Sequence, residues 1–214
     1  MKILLSGFMP FGGESLNPSW EAVRRLDGVQ ADEDVILYAT KLPMVYEEAR
    51  IRLITSMHAI RPDVIIGVGQ AGGRSEITPE RIAVNVSDSS MPDNNGRILN
   101  DETIIPDGPA AYGSTLPNQK IVQVLKEMGI PAKLSHSAGT FVCNQVFYGL
   151  MHELSLRGRA QIGGFIHVPY ITEQTEGKSV PSLPLHVIVN GLRAAAVASS
   201  KAWQEKYRQP LEIR

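Results

Sequence analysis

The stretch Val64-Ile65-Ile66-Gly67-Val68-Gly69-Gln70-Ala71-Gly72-Gly73-Arg74 decides the fold. Its opening, Val64–Val68, is an apolar run, the pattern of a strand buried on both faces. A glycine-rich turn follows at once. Working outward, Ile3–Ser6, Val35–Ala39, Ala132–Ser135 and Gly164–Val168 read as further strands. Helical spacing marks the intervening Trp20–Leu26, Tyr46–Ala59, Gln119–Met128, Phe141–Leu156 and Leu183–Trp203. Asn17-Pro18-Ser19 is a start signal for the first helix, with proline tolerated in its opening turn. Strands alternating with helices predict an α/β fold, a largely parallel sheet covered on both faces. Glu80–Val86 alternates and predicts a hairpin or an edge strand. Ser87–Pro117 is the irregular region, a long loop of the kind that is often functional. The five C-terminal residues are expected to be poorly ordered.

The 214 residues suit one sizeable α/β domain, with no linker or internal repeat dividing them. Lys and Arg number 21 against 22 Asp and Glu, a net charge of −1. That balance, without any basic run, argues against nucleic acid as a partner. One cysteine cannot form an intrachain disulfide, which fits a reducing compartment. The apolar run at Met1–Phe8 is too short for a signal peptide, and no stretch is long enough to span a bilayer. A cytoplasmic protein with no membrane partner is expected.

In open α/β sheets, ligands gather at the carboxyl ends of the strands. The polar segments that follow strands are Gly7–Gly13, Gly69–Arg74, His136–Gly139 leading to Cys143, and His167–Tyr170. Cys143 opens a helix, where unpaired N–H groups and the helix dipole favour thiolate, so it is a candidate nucleophile. A free cysteine is more often a small packing residue. Here Cys143 falls at the edge of the stripe formed by Val142, Val146, Phe147, Leu150, Met151 and Leu154. A cysteine hydrolase needs a base. His58 and His152 read as solvated helix positions, and His186 as a packed or interface residue. His136 and His167 both end strands, and spacing ranks His167 only slightly higher. Glu80 is the candidate to orient an imidazole, unless it merely pairs with an arginine. The Gly69–Gly73 turn lacks the Gly-Lys-Ser/Thr end of a P-loop and the full dinucleotide fingerprint. The histidines and carboxylates show no metal-ligand spacing.

Taken together, these motifs resemble the type I pyroglutamyl peptidases, or pyrrolidone-carboxylate peptidases. The resemblance runs through Gly7–Gly13, Asn17–Trp20, Val68–Arg74, Pro106–Tyr112, Ser114–Pro117, Ala138–Asn144 and His167–Tyr170. It implies a cysteine peptidase that removes N-terminal pyroglutamate, with Cys143 as nucleophile, His167 as base and Glu80 as third member. It implies a three-layer α/β/α sandwich around a twisted, largely parallel sheet, a single peptidase domain over residues 1–214, a homotetramer and no cofactor. It also places Phe8, Phe11, Asn17, the backbone of Gln70, and Phe141 in the substrate pocket. Such a pocket makes chemical sense, since a neutral lactam calls for aromatic walls and a few polar groups. Two positions depart from the family pattern. Ser90 stands where an arginine is common, which leaves Arg97 or Arg81 as candidates to help an oxyanion. His136 stands where an uncharged residue is expected, and it would bring a second titratable group near the sulfur.

Two other readings compete. A phosphate- or nucleoside-handling enzyme would use the Gly69–Gly73 turn as an anion nest and leave Cys143 dispensable. A binding module would hold pyroglutamyl peptides without cleaving them, and would not need Cys143, His167 and Glu80 together.

Overall fold

The computed structural model describes residues 1–208, so the expectation for the last five residues lies outside it. The elements run β1 (Lys2–Phe8), α1 (Pro18–Val23), β2 (Gln30–Asp32), β3 (Val35–Leu42), α2 (Tyr46–Ile60), β4 (Val64–Gln70), β5 (Thr78–Glu80), β6 (Ile82–Val84), β7 (Ser87–Ser89), β8 (Leu99–Glu102), β9 (Ala111–Gly113), α3 (Asn118–Glu127), α4 (Val142–Leu156), β10 (Ile162–Val168), β11 (Tyr170–Ile171), β12 (Ser182–Leu183) and α5 (Leu185–Tyr207). The main sheet has the order β2-β3-β1-β4-β10-β5. Its four inner strands are parallel, and both edge strands are antiparallel to their neighbours.

Side chains alternate along a strand, so each inner strand feeds two cores. Ile3 and Leu5 of β1, Val64, Ile66 and Val68 of β4, and Ile162 and Ile166 of β10 meet α1, α3 and α5. Leu4, Ile65 and Phe165 point the other way, into the core shared with α2 and α4. The arrangement is the expected three-layer α/β/α sandwich.

Three details differ from the sequence reading. Ala132–Ser135 runs beside β5 but joins it only at isolated bridges, Ile77 with Ala132 and Glu80 with Ser135. Ile77 and Arg81 donate to Pro131 and Ser135 across this line. The intervening donor would be residue 79, a proline with no N–H, so the ladder breaks there. Glu80–Val86 splits between β5 and β6, and β6 pairs with β9 rather than with the main sheet. Ser87–Pro117 is not structureless, because β7 pairs with β8 and β9 with β6.

Candidate active site

The site grows from strand parity. On β10 the alternate residues Gly163, Phe165 and His167 face the α2/α4 layer, where Phe165 is fully buried. Register sets His167 beside Gly69 of β4, and Phe165 opposite Glu80 of β5. The imidazole Nδ1 and Glu80 Oε1 are 2.8 Å apart, and the Phe165 ring meets the imidazole edge-on at 5.0 Å. The carboxylate can only accept, so Nδ1 carries the proton and Nε2 is the nitrogen left for a reacting group. Glu80 is wholly buried. Burial works against its ionisation. The hydrogen bond and charge of His167, with lesser help from Ser135 and Arg74, outweigh that and hold the carboxyl below its ordinary value.

Cys143 is the second residue of α4, whose N-terminus has no side-chain cap. Its first-turn N–H groups are therefore free of a competing side chain. Asn144 fixes this turn against the neighbouring strand: its Oδ1 accepts from Val84 N–H, and its Nδ2 donates to the carbonyls of Val84 and Val86. Every residue from Val142 to Met151 is buried, so α4 has no solvated edge here, in contrast to the single stripe its spacing predicts. The cause is packing on all sides, by β10 and β4 beneath, α2 alongside, and β6, β7 and β9 above. Gly69 makes room for the sulfur, since a Cβ there would lie 2.8 Å from Cys143 Sγ.

This burial works against the thiolate that the helix start favours. Desolvation pushes the Cys143 thiol up to about 12, and the negative charge of Glu80 adds to the rise. Arg74 and the residue's own backbone N–H offset only part of it. The low-dielectric surroundings act against the helix field, and favour the thiol until a base takes its proton.

Cys143 and His167 share one cavity of about 490 Å³ at the carboxyl ends of β4 and β10. Phe11, Gln70 and Phe141 line it too, with the two rings tilted against each other at 6.2 Å. Two residues assigned to the pocket by resemblance do not line it. Phe8 follows the inward parity of Leu4 on β1 and is fully buried, tilted against Phe165 at 6.3 Å. Asn17 caps α1: its Oδ1 accepts from Ser19 N–H and Ser19 Oγ–H, and its Nδ2 donates to Met9 C=O. It braces the loop that carries Phe11 rather than meeting the cavity.

Arg74 is the residue that sequence reasoning missed. It lines the cavity and reaches Glu80 Oε1 at 2.6 Å, Thr78 Oγ1, and the Ser137 carbonyl at 3.2 Å. Its only sequence signal was a cation closing the glycine-rich turn six residues before Glu80. Arg81 and Arg97 do not line this cavity, and Arg97 is engaged by Glu47 and Glu102. His136 is exposed and opens into a neighbouring pocket with Glu76 and Lys133, so it does not face the sulfur. His186 is exposed at the start of α5 rather than packed. Among the described residues no group of three or more His, Cys, Asp or Glu is placed to hold a metal, and no helix is long and apolar enough to cross a membrane.

Comparison with known proteins gives a consistent result. The model of the pyroglutamyl peptidase family matches residues 1–202. The chain is 53% identical over 199 residues to a pyrrolidone-carboxylate peptidase of Bacillus licheniformis, covering 93% of this chain and 92% of that protein. It is 48% identical over 209 residues to the Bacillus subtilis protein of the same name, covering 98% and 96%. The crystal structure of Bacillus amyloliquefaciens pyroglutamyl peptidase I superposes with a TM-score of 0.91 at 50% identity, over 94% of this chain and 97% of that one. Pyrrolidone carboxyl peptidase from the hyperthermophile Pyrococcus furiosus also gives 0.91, at 41% identity over 95% and 100%. With a match of that extent joined to this fold and this cavity, the chain belongs to the pyroglutamyl peptidase family.

Proposed function

We infer that the protein is a cysteine peptidase that removes an N-terminal pyroglutamyl residue from peptides. The observation that carries this reading is the shared cavity of Cys143 and His167, with His167 held by buried Glu80. In this reading the lactam ring lies against Phe11 and Phe141, and the backbone of Gln70 supplies polar contact. His167 Nε2 takes the thiol proton as the sulfur attacks the carbonyl that follows the ring. Proton transfer in the same step as attack suits a thiol whose ionisation burial opposes. Glu80 stabilises the imidazolium so formed, and Arg74 holds Glu80. The N–H of Cys143, at an uncapped helix start, steadies the oxyanion. The C–N bond then breaks, the leaving amine takes the proton from His167, and water cleaves the thioester to release pyroglutamate and the thiol.

The family resemblance supports a homotetramer acting as one domain over residues 1–214. The lone cysteine, which nothing in the chain can oxidise to an internal disulfide, supports a cytoplasmic setting. A chromogenic pyroglutamyl amide should be cleaved and a prolyl amide left intact, because proline leaves the pocket's polar groups unpaired. Iodoacetamide treatment or Cys143→Ala should abolish turnover with circular dichroism unchanged. Undiminished turnover in Cys143→Ala would overturn the reading in favour of chemistry that leaves the sulfur dispensable.

A further inference from the structure

A five-membered lactam does not fill a cavity of about 490 Å³. If the reading above is right, the remaining space receives the residue that follows the ring. The inner wall, Cys143 and His167, is buried, whereas Met91, Gly12 and Gly72 are exposed and form the rim. The turn from Phe11 to Glu14 brings a carboxylate to that rim. Gly12 and Gly13 both take left-handed backbone angles, φ 64° and 81°, and Glu14 N–H closes the turn on the Phe11 carbonyl.

The two charged side chains lining this cavity, Arg74 and Glu14, are unequally paired. Arg74 is matched by the buried carboxylate of Glu80 at 2.6 Å. Among the described residues Glu14 has only Lys178 at 3.9 Å, a loose pair whose lysine side chain is 59% exposed. Met91, 44% exposed, adds a flexible thioether wall of the kind that accepts unbranched chains. A lysine or arginine side chain fits both features, with its methylenes on apolar surface and its charge at the carboxylate. An acidic side chain meets like charge.

We propose that the cavity rim is a subsite for the residue after pyroglutamate, and that Glu14 makes it favour a basic side chain over an acidic one. The site is open to solvent, so the discrimination is modest, on the order of three-fold to ten-fold in kcat/KM between lysine and glutamate substrates, and it shrinks with added salt.

The test compares C-terminally amidated pyroglutamyl-lysyl, pyroglutamyl-norleucyl and pyroglutamyl-glutamyl peptides. The native protein should follow the order lysine, norleucine, glutamate at low salt, with the spread narrowing at high salt. Glu14→Gln should bring the three together, Glu14→Lys should reverse the order, and Lys178→Ala should widen it. Equal kcat/KM for the three in the native protein, or an unchanged order in Glu14→Gln, overturns the subsite. Failure to cleave any of them overturns the peptidase reading instead.

Discussion

At the scale of single residues, the proposed mechanism rests on three side chains whose surroundings set their charge. Burial that pushes the Cys143 thiol up predicts a particular alkylation profile. The iodoacetamide rate of the native protein should keep rising with pH through 9, with no plateau in the neutral range, because the folded value lies at about 12. A plateau near neutrality would instead mean a standing thiolate–imidazolium pair. Glu80 has the opposite sign. Its carboxyl is held below its ordinary value, so its ionised form stabilises the fold above roughly pH 4.3, and that support is lost as pH falls through the lowered folded value. Glu80→Gln should therefore flatten the acid side of a melting-temperature profile. It should also cut kcat by roughly 10² or more, since His167 loses the partner that fixes its tautomer. Full activity in that variant would remove Glu80 from the machinery. Cys143, His167 and Glu80 were candidates in the sequence because each sits where a strand or turn meets another element. The upward push on the thiol was not legible, since it depends on atoms packed around Cys143 from distant segments.

At the scale of elements, register brings the groups together. β10 and β4 set His167 beside Gly69, and the bare Cα of Gly69 leaves the sulfur its space. Gly69→Ala should keep the fold, cost about 1–3 kcal/mol in chemical denaturation, and lower activity far more than a surface glycine-to-alanine change. Asn144→Ala removes the three bonds that tie the first turn of α4 to Val84 and Val86. It should cost about 1–3 kcal/mol, because backbone groups are left unpaired, and should slow alkylation of Cys143 as the turn shifts. The strands and helices of the sandwich were legible from apolar runs and helical spacing. The pairing of β6 with β9 was not, because three-residue strands are too short to show a period. Phe8 was assigned to the pocket by resemblance alone, whereas β1 continues through Phe8 and carries it inward.

At the scale of the whole molecule, one sheet separates two cores, and the cavity of Cys143 and His167 lies at the sheet's carboxyl edge on the α2/α4 side. That location was expected from the parallel order alone. Sedimentation velocity should show a tetramer, and a monomer at working concentration would remove that part of the proposal. The segment bearing the nucleophile is enclosed by protein from Val142 to Met151, so its opening turn cannot fray without exposing the core. For each folded subunit, urea is therefore expected to leave no folded yet inert halfway state. Turnover and ellipticity should vanish along a single curve, and a chain that has lost its catalytic turn is one that has already come apart.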